Sequence, residues 1–196
     1  MNARNALIAV SVLALAAAPA VAQDKPQDKK PAQAPAGGPP APKPGPEHQL
    51  LKQDEGSWDA SVEVFMAPGA PPTASKGIET NKLTGSGLWL VSDFKSDLMG
   101  QPFEGHGVTG WDPAKKKFVG TWVDSMTTSV SVSESTYDPV AKTATGWMEG
   151  PDETGKTTKT KMVTEWKGPD SRVFTMYNTK DGKETPTLRI TYTRKK

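Results

Sequence analysis

No cysteine occurs anywhere in the 196-residue chain. That absence excludes disulfides, a thiolate nucleophile, a zinc–thiolate centre and an iron–sulfur cluster, so the fold must be held by its core alone. Histidine is nearly as scarce. His48 and His106 are the only two, and they lie too far apart in sequence to form a His-rich metal motif. No hydrophobic run is long either: the apolar stretch at 6–18 is shorter than the ~20 residues that span a bilayer. Charge of one sign is also missing. The whole chain carries a formal +2, but five of its 24 Lys and Arg residues (Arg4, Lys25, Lys29, Lys30, Lys43) and two of its 22 acids (Asp24, Asp28) precede Glu47. The remaining 19 basic and 20 acidic side chains leave the body of the chain near neutral. It therefore lacks the basic face that nucleic acid requires. The triplet Lys115-Lys116-Lys117 follows Asp112-Pro113 and reads as a solvated hairpin tip.

What is present divides into three parts. Residues 1–22 carry one early positive charge, an Ala/Leu/Val/Ile stretch, Pro19 and then Ala20-Val21-Ala22. Small residues at the two positions a signal peptidase reads mark a cleaved secretory signal. Cleavage after Ala22 places the domain in the periplasm or outside the cell and leaves no transmembrane segment. Residues 23–46 are Pro, Ala, Lys, Gln and Gly with almost no bulky apolar side chain. Such a segment cannot bury enough surface to offset its ordering entropy and reads as a disordered tether. Residues 47–196 form one domain, long enough for a single core.

The domain opens with a short helix at 46–54. Proline suits its first position, Glu47 its positive start, and Gly56 ends it. Then Trp58, Ala60, Val62 and Val64 alternate with Asp59, Ser61 and Glu63, a half-buried strand. About ten such runs follow to residue 194, separated by Pro, Gly and Asp turns. The expected strands include 118–126 and 128–137. Short links between consecutive strands make neighbours antiparallel, and ten strands in one open sheet would leave two long edges. Closure removes them, so the expected fold is all-β: an antiparallel up-and-down barrel with a short N-terminal helix. Glycines at 105, 107, 110, 120 and 146 fall inside strands, where they allow the bends of barrel corners. All six tryptophans lie in this domain, which implies an aromatic core or an aromatic-lined cavity. The methionines after Met1 fall mostly at strand positions and read as core filling.

Several short strings stand out in order: Glu47-His48-Gln49, Gly56-Ser57-Trp58-Asp59, Glu79-Thr80-Asn81, Gly105-His106-Gly107 with Gly110-Trp111-Asp112, 120–126, and Thr191-Tyr192-Thr193-Arg194. Together they resemble the bacterial domain of unknown function 1579. The resemblance runs from about Glu47 to the C-terminus. The sequence departs from that pattern at Trp111, where tyrosine is usual, and in the serine-rich 129–135, where glycine is usual. The resemblance implies a calycin-type barrel, similar in outline to lipocalins. It implies no reaction.

The candidate ligand-binding residues are Glu79, His106, Trp122 and Asp124. His106 and Asp124 come from adjacent expected strands, so their side chains are expected to meet across the ladder. Beside an aromatic wall at Trp122, such charges either pair with each other or touch the polar end of a ligand. Three functions follow. One is an exported barrel holding a small, largely apolar molecule. The second is a hydrolase-type enzyme built on Glu79, His106 and Asp124, with Ser125 beside them. It lacks a G-x-S-x-G elbow, and in a regular strand Asp124 and Ser125 face opposite ways. The third is a structural or interaction barrel filled by side chains. A single His106 could also hold a haem iron, but the ligand supply is sparse and no cofactor is assigned. His48 reads as a capping or plug residue.

Overall fold

The computed structural model describes residues 40–196 except Glu153. The expected signal peptide, and the expected tether as far as residue 39, lie outside the described residues. Pro46 and Glu47 lead into α1 (His48–Asp54). His48 is buried, and its Nδ1 accepts the Gly45 N–H at 2.9 Å, so it closes the turn that starts the helix.

Ten strands follow: β1 (Gly56–Val64), β2 (Thr73–Thr84), β3 (Trp89–Leu98), β4 (Gln101–Asp112), β5 (Lys117–Asp124), β6 (Ser131–Asp138), β7 (Thr143–Pro151), β8 (Thr157–Gly168), β9 (Ser171–Lys180) and β10 (Lys183–Arg194). Each pairs antiparallel with the next, and β1 pairs with β10, so the sheet closes into a barrel. The meander closes because β1 offers one edge to β2 and the other to the end of the chain. Among the described residues, no strand is left with an open ladder.

Cross-strand partners share a face. The inner wall can therefore be followed around the barrel, for example Trp58, Glu79, Phe94, Gly105 and Asp124 in one row. On β1 to β3 and β10 this wall is tightly packed. Trp58, Ala60, Val62, Phe94, Ile190 and Tyr192 form one buried cluster. Burial of each large apolar side chain among them stabilises the fold by ~1.5–3 kcal/mol. A second cluster, Leu51 with Leu90 and Phe118, seats α1 over one end of the barrel, flanked by Leu50, Leu83, Trp111 and Tyr137.

Four details differ from the sequence expectation. β5 stops at Asp124 and β6 starts only at Ser131, because Asp124 Oδ1 accepts the backbone N–H groups of Met126 (2.9 Å) and Thr127 (3.1 Å) and turns the chain. Three of the in-strand glycines make room for rings rather than corners. Trp122 lies flat over Gly105 and Gly107, and Trp89 lies over Gly110, each where a Cβ would collide with the indole. Trp89 and Trp147 sit exposed on the outer wall, so the tryptophans do not form one core. Met66, Met99 and Met126 are exposed at the loops opposite α1, while Met148, Met162 and Met176 are inward-facing and half-buried.

Candidate functional site

The C-terminus of α1 leaves carbonyls without helical partners. Barrel side chains take up three in succession. Arg194 donates to Gln53 O and Glu55 O, both at 2.6 Å. Asp54 O accepts from Trp58 Nε1 and Asn81 Nδ2, both at 3.0 Å. The Arg194 guanidinium also stacks on the Trp58 ring, 4.1 Å from its centroid. The plug is therefore tied to β1, β2 and β10 at once.

Directly beneath the plug is a buried ion network. Arg172 and Glu79 are each 7% exposed and are bonded to each other. Asn81 Nδ2 donates to the same carboxylate at 2.7 Å. Asp54 lies 3.7 Å from Arg172 Nε, and its Oδ1 accepts the Trp166 indole N–H at 2.8 Å. The Arg172 guanidinium lies over Tyr192 (4.0 Å) and Trp58 (4.9 Å). Two carboxylates therefore face one buried guanidinium. Burial pushes the Asp54 carboxyl above its ordinary value, against the pull of Arg172 and the Trp166 hydrogen bond. Burial disfavours the charged form of Arg172, yet Glu79 and Asp54 outweigh it and raise its pKa. Burial, with Glu79 close by, also raises the Tyr192 phenol. Arg172 Nε and Asn81 Oδ1 are buried without a hydrogen-bond partner among the described residues.

The four sequence candidates do not converge. Glu79 belongs to the ion network. Trp122 faces inward and donates its indole N–H to Asp124 Oδ2 at 2.9 Å, so Asp124 fixes the ring and ends the strand. His106 is a correction. It pairs in register with Asp93 and Val123, whereas Gly105 is opposite Asp124, so His106 points outward. Its Nδ1 meets Asp93 Oδ1 at 2.7 Å on the outer wall, with both side chains about half exposed (49% and 61%). Side chains alternate along a strand, so one residue of offset puts His106 and Asp124 on opposite faces. The Glu79/His106/Asp124 arrangement is therefore not assembled, and Ser125 Oγ is spent on the Glu104 N–H at 3.1 Å. His106 offers nothing to the interior, a haem iron included. At the basic triplet, Lys115 and Lys117 both grip Glu134 (2.6 and 2.7 Å) and hold its carboxyl down at about 2.

Sequence reasoning missed Asp54, Arg172, Tyr192 and Arg194. A partial signal existed. Glu79 and Asn81 are two residues apart and share a face, and the Trp58 and Arg194 strings had been singled out. Nothing in the sequence pairs β2 with β9 across the interior.

The remaining inner wall, from β5 to β9, is different in character. Trp122, Ser133, Met148, Met162, Thr164 and Phe174 all face inward yet stay only half-buried. A ten-stranded barrel is wider than the eight-stranded kind that side chains just fill. Small residues here (Gly120, Ser133, Ser135, Ala144 and Gly146) fill still less of it. This half-buried part of the wall lies beyond the ion network, away from α1. On the outer wall, a shallow groove of about 620 Å³ runs between Trp89 and Trp147. Among the described residues, no three His, Asp or Glu side chains gather as a metal site, and no helix is long and apolar enough to cross a membrane.

Residues 43–194 match the family described as protein of unknown function (DUF1579), and the chain belongs to it. The sequence matches no curated protein. Among solved structures, the fold is similar to Rv2717c from M. tuberculosis, at 14% identity over 78% of this chain and 99% of that one, with a TM-score of 0.59. It is also similar to the S-type phycobiliprotein lyase CPES from Guillardia theta, at 13% identity over 76% and 93%, with a TM-score of 0.53. At these identities the likeness is one of fold alone.

Proposed function

We propose that this DUF1579 member is an exported barrel that holds one small, largely apolar molecule on the unfilled side of its interior, reached from the end opposite α1. One observation carries the reading. Inward-facing Trp122, Ser133, Met148, Met162, Thr164 and Phe174 of β5 to β9 remain half-buried in a closed barrel whose opposite side holds the buried cluster of Trp58, Ala60, Val62, Phe94, Ile190 and Tyr192. Apolar and aromatic lining with a few placed polar groups is the usual make-up of a ligand pocket. Met66, Met99, Met126 and Val130 stand exposed on the loops at that end and give an apolar molecule a soft approach. The phycobiliprotein lyase with the same fold fits a small-molecule role for this architecture. Export rests on the leader at 1–22, with its small-residue cleavage site.

In this reading Glu79 and Asp124 are positioning groups. Glu79 holds the wall against the plug, and Asp124 aims Trp122, which is the ligand-facing member of the four candidates. The test is native mass spectrometry of the full-length protein purified from its own source. A co-purifying small molecule is expected. It should be lost in Ser133→Phe, which fills the space. An apo mass in both proteins, with no stabilisation of the wild type by any apolar compound, overturns the proposal. A second reading, an interaction barrel, is favoured by the exposure of Trp89 and Trp147 on the outer wall. Under it, changing those two residues abolishes co-purification of a protein partner, while filling the interior does not.

A further inference from the structure

The charges that face the interior are few, and the deep ones are all committed. Arg172 is held by Glu79 and Asp54 and pressed between Tyr192 and Trp58. Its Nε, buried without a hydrogen-bond partner, lies 3.7 Å from Asp54. Arg194 spends its donors on the carbonyls of Gln53, Glu55 and Pro169. Against these stand Glu79, Asp54 and Asp124. An anion entering the space would find no deep cation free to meet it and two carboxylates shielding the nearest one. Lys180 and Lys183 share the inner side of the wall but lie exposed at the tip of the β9–β10 hairpin. Four residues separate Lys180 from Met176, about 13 Å along a strand.

What the space offers instead is hydroxyl groups. Ser131, Ser133 and Ser135 form a row on β6, every second residue, all inward and half-buried. Thr160 and Thr164 face them from β8. On β2 and β3, Ser75 Oγ and Ser96 Oγ are buried without a partner among the described residues. The apolar part is Trp122, Met148, Met162, Met176 and Phe174. Hydroxyls both donate and accept, so they suit hydroxyl or carbonyl oxygens. They do not compensate the loss of water around an ion, which is costly without an opposite charge.

From this we infer that the interior takes an uncharged molecule, apolar over most of its surface and bearing hydroxyl or carbonyl oxygens. It discriminates against a carboxylate or sulfonate of the same size. The inference rests on reading the interior as a ligand site and adds the chemical class. It runs against the simplest expectation for a barrel with a buried arginine, that of a fatty-acid carboxylate held by it.

The experiment uses a matched pair of fluorescent probes, N-phenyl-1-naphthylamine and 8-anilinonaphthalene-1-sulfonate, which share a ring scaffold and differ by the sulfonate. Each is titrated into the full-length protein at neutral pH, and each bound probe is then displaced by dodecanol or by dodecanoate. The neutral probe is expected to bind at least ~100-fold more tightly, since an unpaired ion loses its hydration on burial. Dodecanol is expected to displace it where dodecanoate does not. Two independent filling variants, Ser133→Phe and Met148→Trp, locate the site, and both should abolish binding of the neutral probe. Equal affinity for the two probes overturns the inference and leaves the ligand site standing. Binding that neither filling variant weakens places the probe elsewhere and also overturns it. If neither probe nor alcohol binds, the ligand reading itself fails and this inference falls with it.

Discussion

Arg172→Met tests the ion network directly. The substitution keeps most of the side-chain volume and removes the cation paired with Glu79 and Asp54. Glu79 is then left buried without its ion-pair partner, and Asp54 keeps only the weaker pull of Arg194. Breaking a buried pair from one side costs ~3–5 kcal/mol, and the stacking over Tyr192 and Trp58 is lost within that figure. A domain of this size is stable by only ~5–15 kcal/mol, so about a fifth or more of the total is at stake. At ~2–4 °C per kcal/mol the melting temperature falls by about 6–20 °C. The assay is urea unfolding of the full-length protein, followed by tryptophan fluorescence at pH 7 and again at pH 5. The deficit should shrink at the lower pH, because without the Arg172 charge burial holds the Asp54 carboxyl higher still and its protonation relieves the repulsion. Adding Glu79→Gln to Arg172→Met removes one of the orphaned charges. The double variant should therefore be less destabilised than the sum of the two single changes. A loss under ~1 kcal/mol, or strict additivity of the two substitutions, would refute the account of a coupled buried network.

Two further outcomes are expected. Gly105→Ala drives a methyl group into the Trp122 ring and should destabilise by ~1–3 kcal/mol; Trp122→Leu in the same chain should recover part of that loss, and no recovery would mean that the glycine serves the backbone instead. Asp54→Asn bears on pH. Burial raises the folded-state pKa of Asp54, so its contribution is full below the unfolded value and is lost as pH rises through the folded one. The stability of wild type minus that of Asp54→Asn, measured by urea unfolding, should therefore fall as pH rises above the unfolded carboxyl value of about 4. A difference that rises over this window would show that the attraction of Arg172 outweighs burial.

Much of the architecture was legible in local sequence. The alternation at Trp58, Ala60, Val62 and Val64, the Asp-Pro turns and the short links were enough for a ten-stranded antiparallel barrel with a helix at its start, because strand period and turn chemistry are local properties. The end of β5 was misread by two residues, since it depends on which backbone groups Asp124 accepts. The site was legible only in part. Trp122 faces inward as its alternation with Phe118 and Gly120 implied. His106 was grouped with Asp124 because both lie on neighbouring strands, and only the register decides that Gly105, not His106, is opposite Asp124. A one-residue offset reverses the face of every side chain on a strand. The network of Glu79, Asp54 and Arg172 spans 93 residues between Glu79 and Arg172. No local pattern encodes such a contact. It exists because closure brings β9 across the interior from β2 and the plug helix lowers Asp54 between them. Sequence by itself determined that this is a disulfide-free, near-neutral antiparallel barrel, since composition and two-residue periodicity act within each strand. Tertiary structure alone decided which charges are consumed beneath the plug and which part of the inner wall stays half-buried, since both depend on side chains that meet only once the barrel has closed.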